Sequence, residues 1–119
     1  MGEESVAPLR EPPIRAVETV GDTVVLRLAG ELDLYNAEEV RAALADAVTA
    51  EPRRIVVDLT AVEFVDSTAL GGLFEARSKL GPSGFVLAGP QLETRRALQV
   101  SGLDRHLPVF EGVDDALAG

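Results

Sequence analysis

Three consecutive polar residues, Asp66-Ser67-Thr68, stand between two apolar stretches of different periodicity. The Ser67 hydroxyl can act as a nucleophile or accept a phosphate, and Asp66 supplies a carboxylate beside it. Asp and Ser are also favoured at helix starts, because their side-chain oxygens accept hydrogen bonds from the free N–H groups of the first turn. Ser67 therefore has two interpretations, a helix cap and a phosphorylation switch whose dianion the helix N-terminus would tolerate.

The residues around Ser67 do not favour enzymatic chemistry. The run Val65-Asp66-Ser67-Thr68-Ala69 lacks the glycines that a hydrolase elbow needs two places before and after its serine. His106, the one histidine of the chain, precedes the last predicted strand and is typical of a surface or packing residue. Asp33 and Asp66 are candidates for paired carboxylates, but turn formation and helix capping account for both. We expect a protein that is not an enzyme and that needs no metal or cofactor.

The pattern around the polar residues predicts a strand, a loop and a helix. Ile55–Val57 is an unbroken β-branched run, typical of a strand buried on both faces. Residues 61–65 are predicted to form the loop, and Ser67 the start of the helix. The apolar residues at helical spacing are Leu70, Leu73, Phe74 and Leu80. Gly71-Gly72 falls inside this helix, where close packing on the sheet or a hinge at a partner surface would explain it.

The remaining pattern alternates strands and helices. A tail of residues 1–13, rich in Pro and Glu, precedes the domain, residues 14–119. In chain order we predict strands at 14–20 and 23–29, a loop at 30–35, a helix from Ala37, a breaker at 81–84, a strand at 85–88, a helix at 91–101 ended by Gly102, a brief strand at 109–110 and a short helix at 113–118. Asn36 and Glu39 have the spacing of a capping box for the first helix.

This order indicates an α/β fold with a four- to five-stranded, mostly parallel mixed sheet, an antiparallel first strand and about four helices. Strands joined by helical crossovers run in one direction, so the loops after the second, third and fourth strands should meet at one edge of the sheet. The residues that these loops carry are Glu31 and Asp33, Asp66 and Ser67, and Gly89 and Pro90.

Composition narrows the classes of partner and compartment. The 119 residues make up one domain, include no cysteine and carry a formal net charge of -9, which repels nucleic acid. The basic pairs Arg53-Arg54 and Arg95-Arg96 are typical of solvated element ends. No apolar run is long enough to cross a membrane, and no signal peptide begins the chain. We expect a cytoplasmic monomer or weak dimer without nucleic-acid or membrane partners.

Two motifs resemble those of a known family. Asp66-Ser67-Thr68-Ala69-Leu70-Gly71 resembles the Asp-Ser-Ser/Thr-Gly-Leu/Ile-Gly signature of STAS domains, in particular bacterial anti-sigma factor antagonists, and Gly30-Glu31-Leu32-Asp33 matches their turn after the second strand. The resemblance extends over residues 14–118. It implies that the unphosphorylated protein binds an anti-sigma factor of the ATPase-kinase type and frees a sigma factor. That kinase would phosphorylate Ser67 and end the binding, and a phosphatase would restore it.

The resemblance also implies a partner-binding surface, and it leaves a second function open. The residues expected at this surface are Glu31, Asp33, Asp66, Ser67, Thr68, Leu70 and Gly71. Ala69 stands where the family usually has glycine, and its methyl group is expected to hinder a partner backbone. The alternative is a STAS module that serves as a structural or regulatory subunit of a stressosome-like or lipid-transport complex, with Ser67 acting only as a helix cap.

Overall fold

The computed structural model describes residues 11–80 and 84–119. Most of the predicted N-terminal tail, and residues 81–83 of the predicted breaker, lie outside the described residues. Of the tail, Pro13 is buried, and its carbonyl accepts a hydrogen bond from the Ala29 N–H at 3.0 Å.

Five strands and four helices follow the predicted order. They are β1 (Ile14–Val20), β2 (Thr23–Leu32), α1 (Ala37–Thr49), β3 (Arg54–Val65), α2 (Ser67–Leu80), β4 (Phe85–Ala88), α3 (Leu92–Ser101), a 3₁₀ turn (Leu103–Arg105), β5 (Val109–Phe110) and α4 (Val113–Ala118). The spatial order of the strands is β1-β2-β3-β4-β5. β1 pairs antiparallel with β2, and every later pair is parallel. The predicted fold class is confirmed.

The sheet is buried on both faces because successive side chains of each strand point to opposite sides. Helices α1, α2 and α3 pack Leu44, Leu73 and Leu98 onto one face, where Val57 is completely buried. The short α4 covers part of the other face, where Val56 is completely buried. The predicted central position of these two valines is confirmed.

β2 and β3 run further than the sequence predicts. Residues 61–65 all belong to β3, so the loop predicted there is wrong, and the loop predicted at 30–35 is wrong for residues 30–32, which belong to β2. Glu31 pairs with Phe64 and Leu32 with Val65, in parallel register. Leu32 and Val65 are buried beneath the helices, and this burial extends both strands. Gly30 lies beside an irregularity in the register with a φ of 77°, a conformation that glycine adopts at little cost.

The predicted capping box of α1 is wrong, although α1 does begin at Ala37. Asn36 occupies the N-cap position, but its side chain makes no capping hydrogen bond. Its Oδ1 instead accepts from the Asp33 N–H at 2.9 Å, and its Nδ2 donates to the Glu31 carbonyl at 2.8 Å. The amide is committed to the preceding loop and cannot serve the helix as well.

Candidate functional site

Asp66 joins two of the three loops that are predicted to meet at one edge of the sheet. Its Oδ1 accepts from the Ala69 N–H at 3.0 Å, so the carboxylate caps the first turn of α2. Its Oδ2 accepts from the Leu34 N–H, also at 3.0 Å, in the loop between β2 and α1. The Asp66 N–H in turn donates to the Leu32 carbonyl at 3.0 Å. One residue thus fixes the position of the β2–α1 loop relative to the start of α2.

Ser67 is the first residue of α2 and is exposed. Within the described part of the chain, its hydroxyl takes part in no hydrogen bond. The capping role that one interpretation assigned to Ser67 belongs to Asp66. Free N–H groups at a helix start, together with the helix dipole, make this an electrostatically favourable place for an anion. The hydroxyl is accessible and is not required by the fold around it.

The β2–α1 loop is held by its own side chains as well as by Asp66. The Tyr35 N–H donates to Asp33 Oδ1 at 3.0 Å, and the Asn36 N–H donates to the Asp33 carbonyl at 3.2 Å. With the two bonds of the Asn36 amide, the loop is closed by side-chain and backbone bonds at nearly every residue. It nevertheless leaves two large apolar side chains in solvent, Leu34 and Tyr35.

The third predicted loop does not reach this site. β4 stops at Ala88, which pairs with Asp58, while β3 continues to Val65. The segment after β4 meets β3 at Thr60, where Gln91 Nε2 donates to the carbonyl at 2.9 Å. Thr60 and Asp66 are six positions apart along extended chain, about 20 Å at the usual rise. Gly89 and Pro90 therefore lie apart from Ser67, because β4 is much shorter than β3.

A polar cluster on the sheet face opposite α1, α2 and α3 was not predicted. Arg27 Nη1 lies 2.8 Å from Asp58 Oδ2, and Arg27 Nη2 lies 2.9 Å from Glu18 Oε1. Asp58 Oδ1 accepts from both the N–H and the hydroxyl of Thr60. Asp58 is 7% exposed, and its hydrogen bonds are all made inside the fold. The hydrogen bonds to Glu18 and Asp58 raise the pKa of the Arg27 guanidinium above its ordinary value.

Two sequence signals could have revealed this cluster. Arg27 lies on the opposite side of β2 from the apolar Leu26 and Leu28, and Asp58 interrupts the apolar run of β3. A carboxylate inside a buried strand needs a partner, since a lone buried charge is costly. The two residues are 31 positions apart, so only the register of β2 with β3 brings them together.

The residues considered for other chemistry lie elsewhere. The His106 ring contacts Phe74 edge-on, with 6.0 Å between ring centroids. Phe74 is two turns along α2 from Ser67, about 10 Å at the usual helical rise. Each basic pair has an acidic partner within the domain, with Arg53 at 3.2 Å from Asp22 and Arg96 at 3.8 Å from Glu93. In residues 11–80 and 84–119, no helix has the length and apolar content to cross a bilayer.

Comparison with protein families matches residues 15–116 to the STAS domain. The chain belongs to the STAS domain family. The matched span covers all of the sheet except the first residue of β1 and reaches into α4. The family predicted from the Asp66-Ser67 and Gly30-Glu31 motifs is confirmed.

Relatives of this STAS domain are bacterial anti-sigma factor antagonists. The anti-sigma-F factor antagonist RsfB of Mycobacterium tuberculosis is 37% identical over 107 residues, which cover 85% of this chain and 86% of RsfB. An anti-sigma factor antagonist from Mycobacterium paratuberculosis has a solved structure with a TM-score of 0.82 and 35% identity, covering 87% of this chain and 89% of that one. The phosphorylated form of the Bacillus protein SpoIIAA gives a TM-score of 0.65 and 28% identity, covering 87% and 96%.

In this STAS domain the residues expected at the partner surface fall into two groups. The exposed ones are Glu31, Ser67, Thr68 and Gly71, and the partly buried ones are Asp33, Asp66 and Leu70. Asp66 has both carboxylate oxygens committed to backbone N–H groups of its own domain. Its contribution is therefore to position its neighbours, and the roles of the others in binding stay predictions.

Three of the four apolar residues of α2 that are predicted to face the core do so: Leu73 is buried, and Leu70 and Leu80 are partly buried against the core. Ala69, Leu73 and Ala76 face the core, whereas Phe74 is 42% exposed, so its predicted place in the apolar stripe is wrong. The Ala69 methyl group is 5% exposed and points into the domain, which corrects the expectation that it faces a partner. An added Cβ at Gly71 would meet no described atom within 4 Å, so close packing on the sheet does not explain that glycine.

Proposed function

We propose that this STAS domain is an anti-sigma factor antagonist that is controlled by phosphorylation of Ser67. The observation that carries the proposal is the exposed Ser67 hydroxyl at the start of α2, with the capping bond made by Asp66. The names of the bacterial relatives support the antagonist function, and SpoIIAA, which has been solved in unphosphorylated and phosphorylated forms, supports the control. The unphosphorylated domain would bind an anti-sigma factor and free its sigma factor.

The partner would be an anti-sigma factor that is also an ATP-dependent serine kinase. The Ser67 oxygen attacks the γ-phosphorus of ATP, the bond to the β-phosphate oxygen breaks, and ADP leaves. The serine proton passes to a base of the kinase. The domain itself catalyses nothing in this scheme, and a separate phosphatase hydrolyses the phosphoserine. All three proteins would meet in the cytoplasm.

Phosphorylation would weaken the complex through charge. A phosphate adds about -1.5 to -2 charges at neutral pH, next to the Asp66 carboxylate. The first turn of α2 offsets part of this in the free domain, by about 0.3 to 1 kcal/mol at an exposed site. A kinase that holds ATP phosphates against Ser67 presents like charge to the new dianion, and the interface must also desolvate it. The phosphate charge therefore destabilises the complex more than it destabilises the free domain.

The alternative function gives Ser67 only a capping role, in a structural or regulatory subunit. Asp66 Oδ1 already accepts from the Ala69 N–H at 3.0 Å, so α2 is capped without Ser67. No hydrogen bond of the described residues uses the Ser67 hydroxyl. The geometry therefore favours the phosphorylation switch over the cap.

Radiolabelled ATP and each ATPase-type anti-sigma factor of the host, purified separately, test the proposal. We expect one kinase to label the wild-type domain, the Ser67→Ala variant to remain unlabelled, and Thr68→Ala to be labelled normally. Thr68 is the matched control, since it is exposed and adjacent. Labelling of Ser67→Ala at Thr68 would reassign the acceptor. No labelling of the wild type by any of these kinases would contradict the proposed control.

A further inference from the structure

The β2–α1 loop presents two large apolar side chains that no part of the described domain covers. Leu34 is 62% exposed and Tyr35 is 82% exposed, in consecutive positions. We call Leu34 and Tyr35 the apolar ledge. An aromatic side chain as exposed as Tyr35 contributes little to the stability of its own domain, because it buries little area on folding. Tyrosine is among the residues enriched at the energetic centres of protein interfaces.

The ledge is held in place although it is exposed. The backbone N–H of Leu34 donates to Asp66 Oδ2 at 3.0 Å, and that of Tyr35 donates to Asp33 Oδ1 at 3.0 Å. The Asn36 amide closes the loop on either side of them. A partner that binds the ledge pays little entropy to order this backbone, which raises the affinity gained from each contact. The bond to Asp66 also links the ledge directly to the residue before Ser67.

The surroundings of the ledge indicate the charge of what binds it. Between residues 31 and 41 the chain has four carboxylates and one basic residue, Arg41, whose Nε lies 3.9 Å from Glu38 Oε1 and 3.7 Å from Glu75 Oε1. Two of them, Glu38 and Glu39, are exposed in the first turn of α1, immediately after the loop. Glu63 is exposed at the end of β3, beside the strand partner of Glu31. A surface complementary to the ledge therefore combines an apolar pocket with basic side chains.

We propose that the apolar ledge, Leu34 and Tyr35, anchors the domain in an apolar pocket of its anti-sigma factor, with basic side chains of that factor facing Glu38 and Glu39. This inference rests on the proposed function and names the surface by which the unphosphorylated form recognises its partner. Ser67 then carries the control, and the ledge supplies affinity and selectivity for one anti-sigma factor among several.

Tyr35 provides its own reporter, because it is the one tyrosine of the chain. A domain grown with 3-fluorotyrosine has a single ¹⁹F resonance, which we expect to shift or broaden when the purified anti-sigma factor kinase is added. In parallel, Tyr35→Ala should weaken binding about 30-fold in a calorimetric titration, as for a central anchor. The melting temperature of the Tyr35→Ala variant should match that of the wild type. The control is Val20→Ala, which truncates an exposed apolar side chain at the far end of β1 and should change affinity less than twofold.

The salt dependence of binding tests separately whether basic side chains of the anti-sigma factor face Glu38 and Glu39. The wild-type affinity should fall as salt rises, and the double variant Glu38→Gln/Glu39→Gln should flatten that dependence. A wild-type affinity that does not change with salt would contradict the proposal that basic side chains face Glu38 and Glu39.

The outcomes separate this inference from the function on which it rests. If the kinase binds and phospho-Ser67 still weakens it, while Tyr35→Ala binds normally and the ¹⁹F resonance stays unchanged, the ledge is not the anchor and the proposed function stands. If no anti-sigma factor of the host binds the wild-type domain, the proposed function fails and the ledge assignment fails with it.

Discussion

Two aspartates of this domain, Asp58 and Asp66, lie eight residues apart along the chain and have different roles. Asp58 is buried in β3 and uses its oxygens on Arg27 and Thr60, so that its cluster is closed on itself. Asp66 follows β3 and uses its oxygens on two backbone N–H groups, those of Leu34 and Ala69. The same carboxylate chemistry stabilises the sheet in one place and holds exposed groups in position in the other.

The difference between the two aspartates predicts which substitutions should affect only stability and which should also affect binding. Groups around Asp58 contact only their own domain, so changing them should cost stability and leave the partner surface intact. Groups around Asp66 are exposed or hold exposed residues, so changing them should alter binding as much as folding. Four substitutions test this division, from the largest expected effect on stability to the smallest.

Arg27→Met should have the largest effect on stability. It leaves the buried Asp58 carboxylate without its positive partner, which typically costs about 3 kcal/mol of unfolding free energy. Urea denaturation measures the loss, and binding by the folded fraction should stay unchanged. The control is Glu18→Gln, which removes an exposed partner of the same guanidinium and should cost less than about 1 kcal/mol. Reduced binding by fully folded Arg27→Met would break the division.

Asp66→Ala should lower both stability and binding. It removes the cap of α2 and the bond to the Leu34 N–H, for a combined loss of about 2 kcal/mol. The loosened apolar ledge should also weaken the complex. Asp66→Asn is the matched control, since its single remaining acceptor can serve one of the two N–H groups and should halve the loss. An Asp66→Ala domain as stable as the wild type would show that these bonds do not support the site.

Ala69→Gly should lower stability without changing phosphate transfer. It removes a buried methyl group and adds glycine to the first turn of α2, together about 1 kcal/mol. The transfer rate should be unchanged because the methyl group points into the core. Single-turnover labelling of Ser67 measures that rate. Faster transfer would restore the sequence-based expectation that Ala69 hinders the kinase.

Gly71→Ala should act in the opposite direction. A Cβ there enters open space, so better helix propensity should stabilise the free domain by about 0.5 to 1 kcal/mol. Because Gly71 is exposed one turn after Ser67, we expect the methyl group to weaken the kinase complex at least threefold. Gly72→Ala is the control: it has equal space for a Cβ but lines the groove between α1 and α2, and should stabilise without affecting binding. Unchanged binding by Gly71→Ala would exclude close approach at this position.

The sequence predicted those parts of the fold that local pattern determines. The limits of β1, β5 and α4 follow from short apolar runs bounded by glycine and proline, and the start of α2 follows from Asp66-Ser67. Gly102 ends α3 with a φ of 79°, as predicted for a glycine after a helix. The loop after β2 and the start of α2 were correctly expected to meet, as the hydrogen bond from the Leu34 N–H to Asp66 shows.

The missed features depend on contacts between distant residues. The extensions of β2 and β3 pair only with each other, and their exposed Glu31 and Glu63 obscure the strand pattern. The Arg27–Asp58 pair depends on the same register. The Asn36 side chain could cap α1 or bond the preceding loop. Local spacing alone favours the cap, which the side chain does not make. The length of β4, which keeps Gly89 away from Ser67, is likewise set by packing.

Calorimetric titration of the purified anti-sigma factor kinase with the unphosphorylated domain and with the domain phosphorylated on Ser67 tests the central claim most directly. We predict that phosphorylation weakens binding at least tenfold, about 1.4 kcal/mol, while the circular dichroism spectrum of the free domain stays nearly the same. Equal affinities for the two forms would contradict the switch, and a large loss of helical signal would replace charge repulsion with refolding as its mechanism.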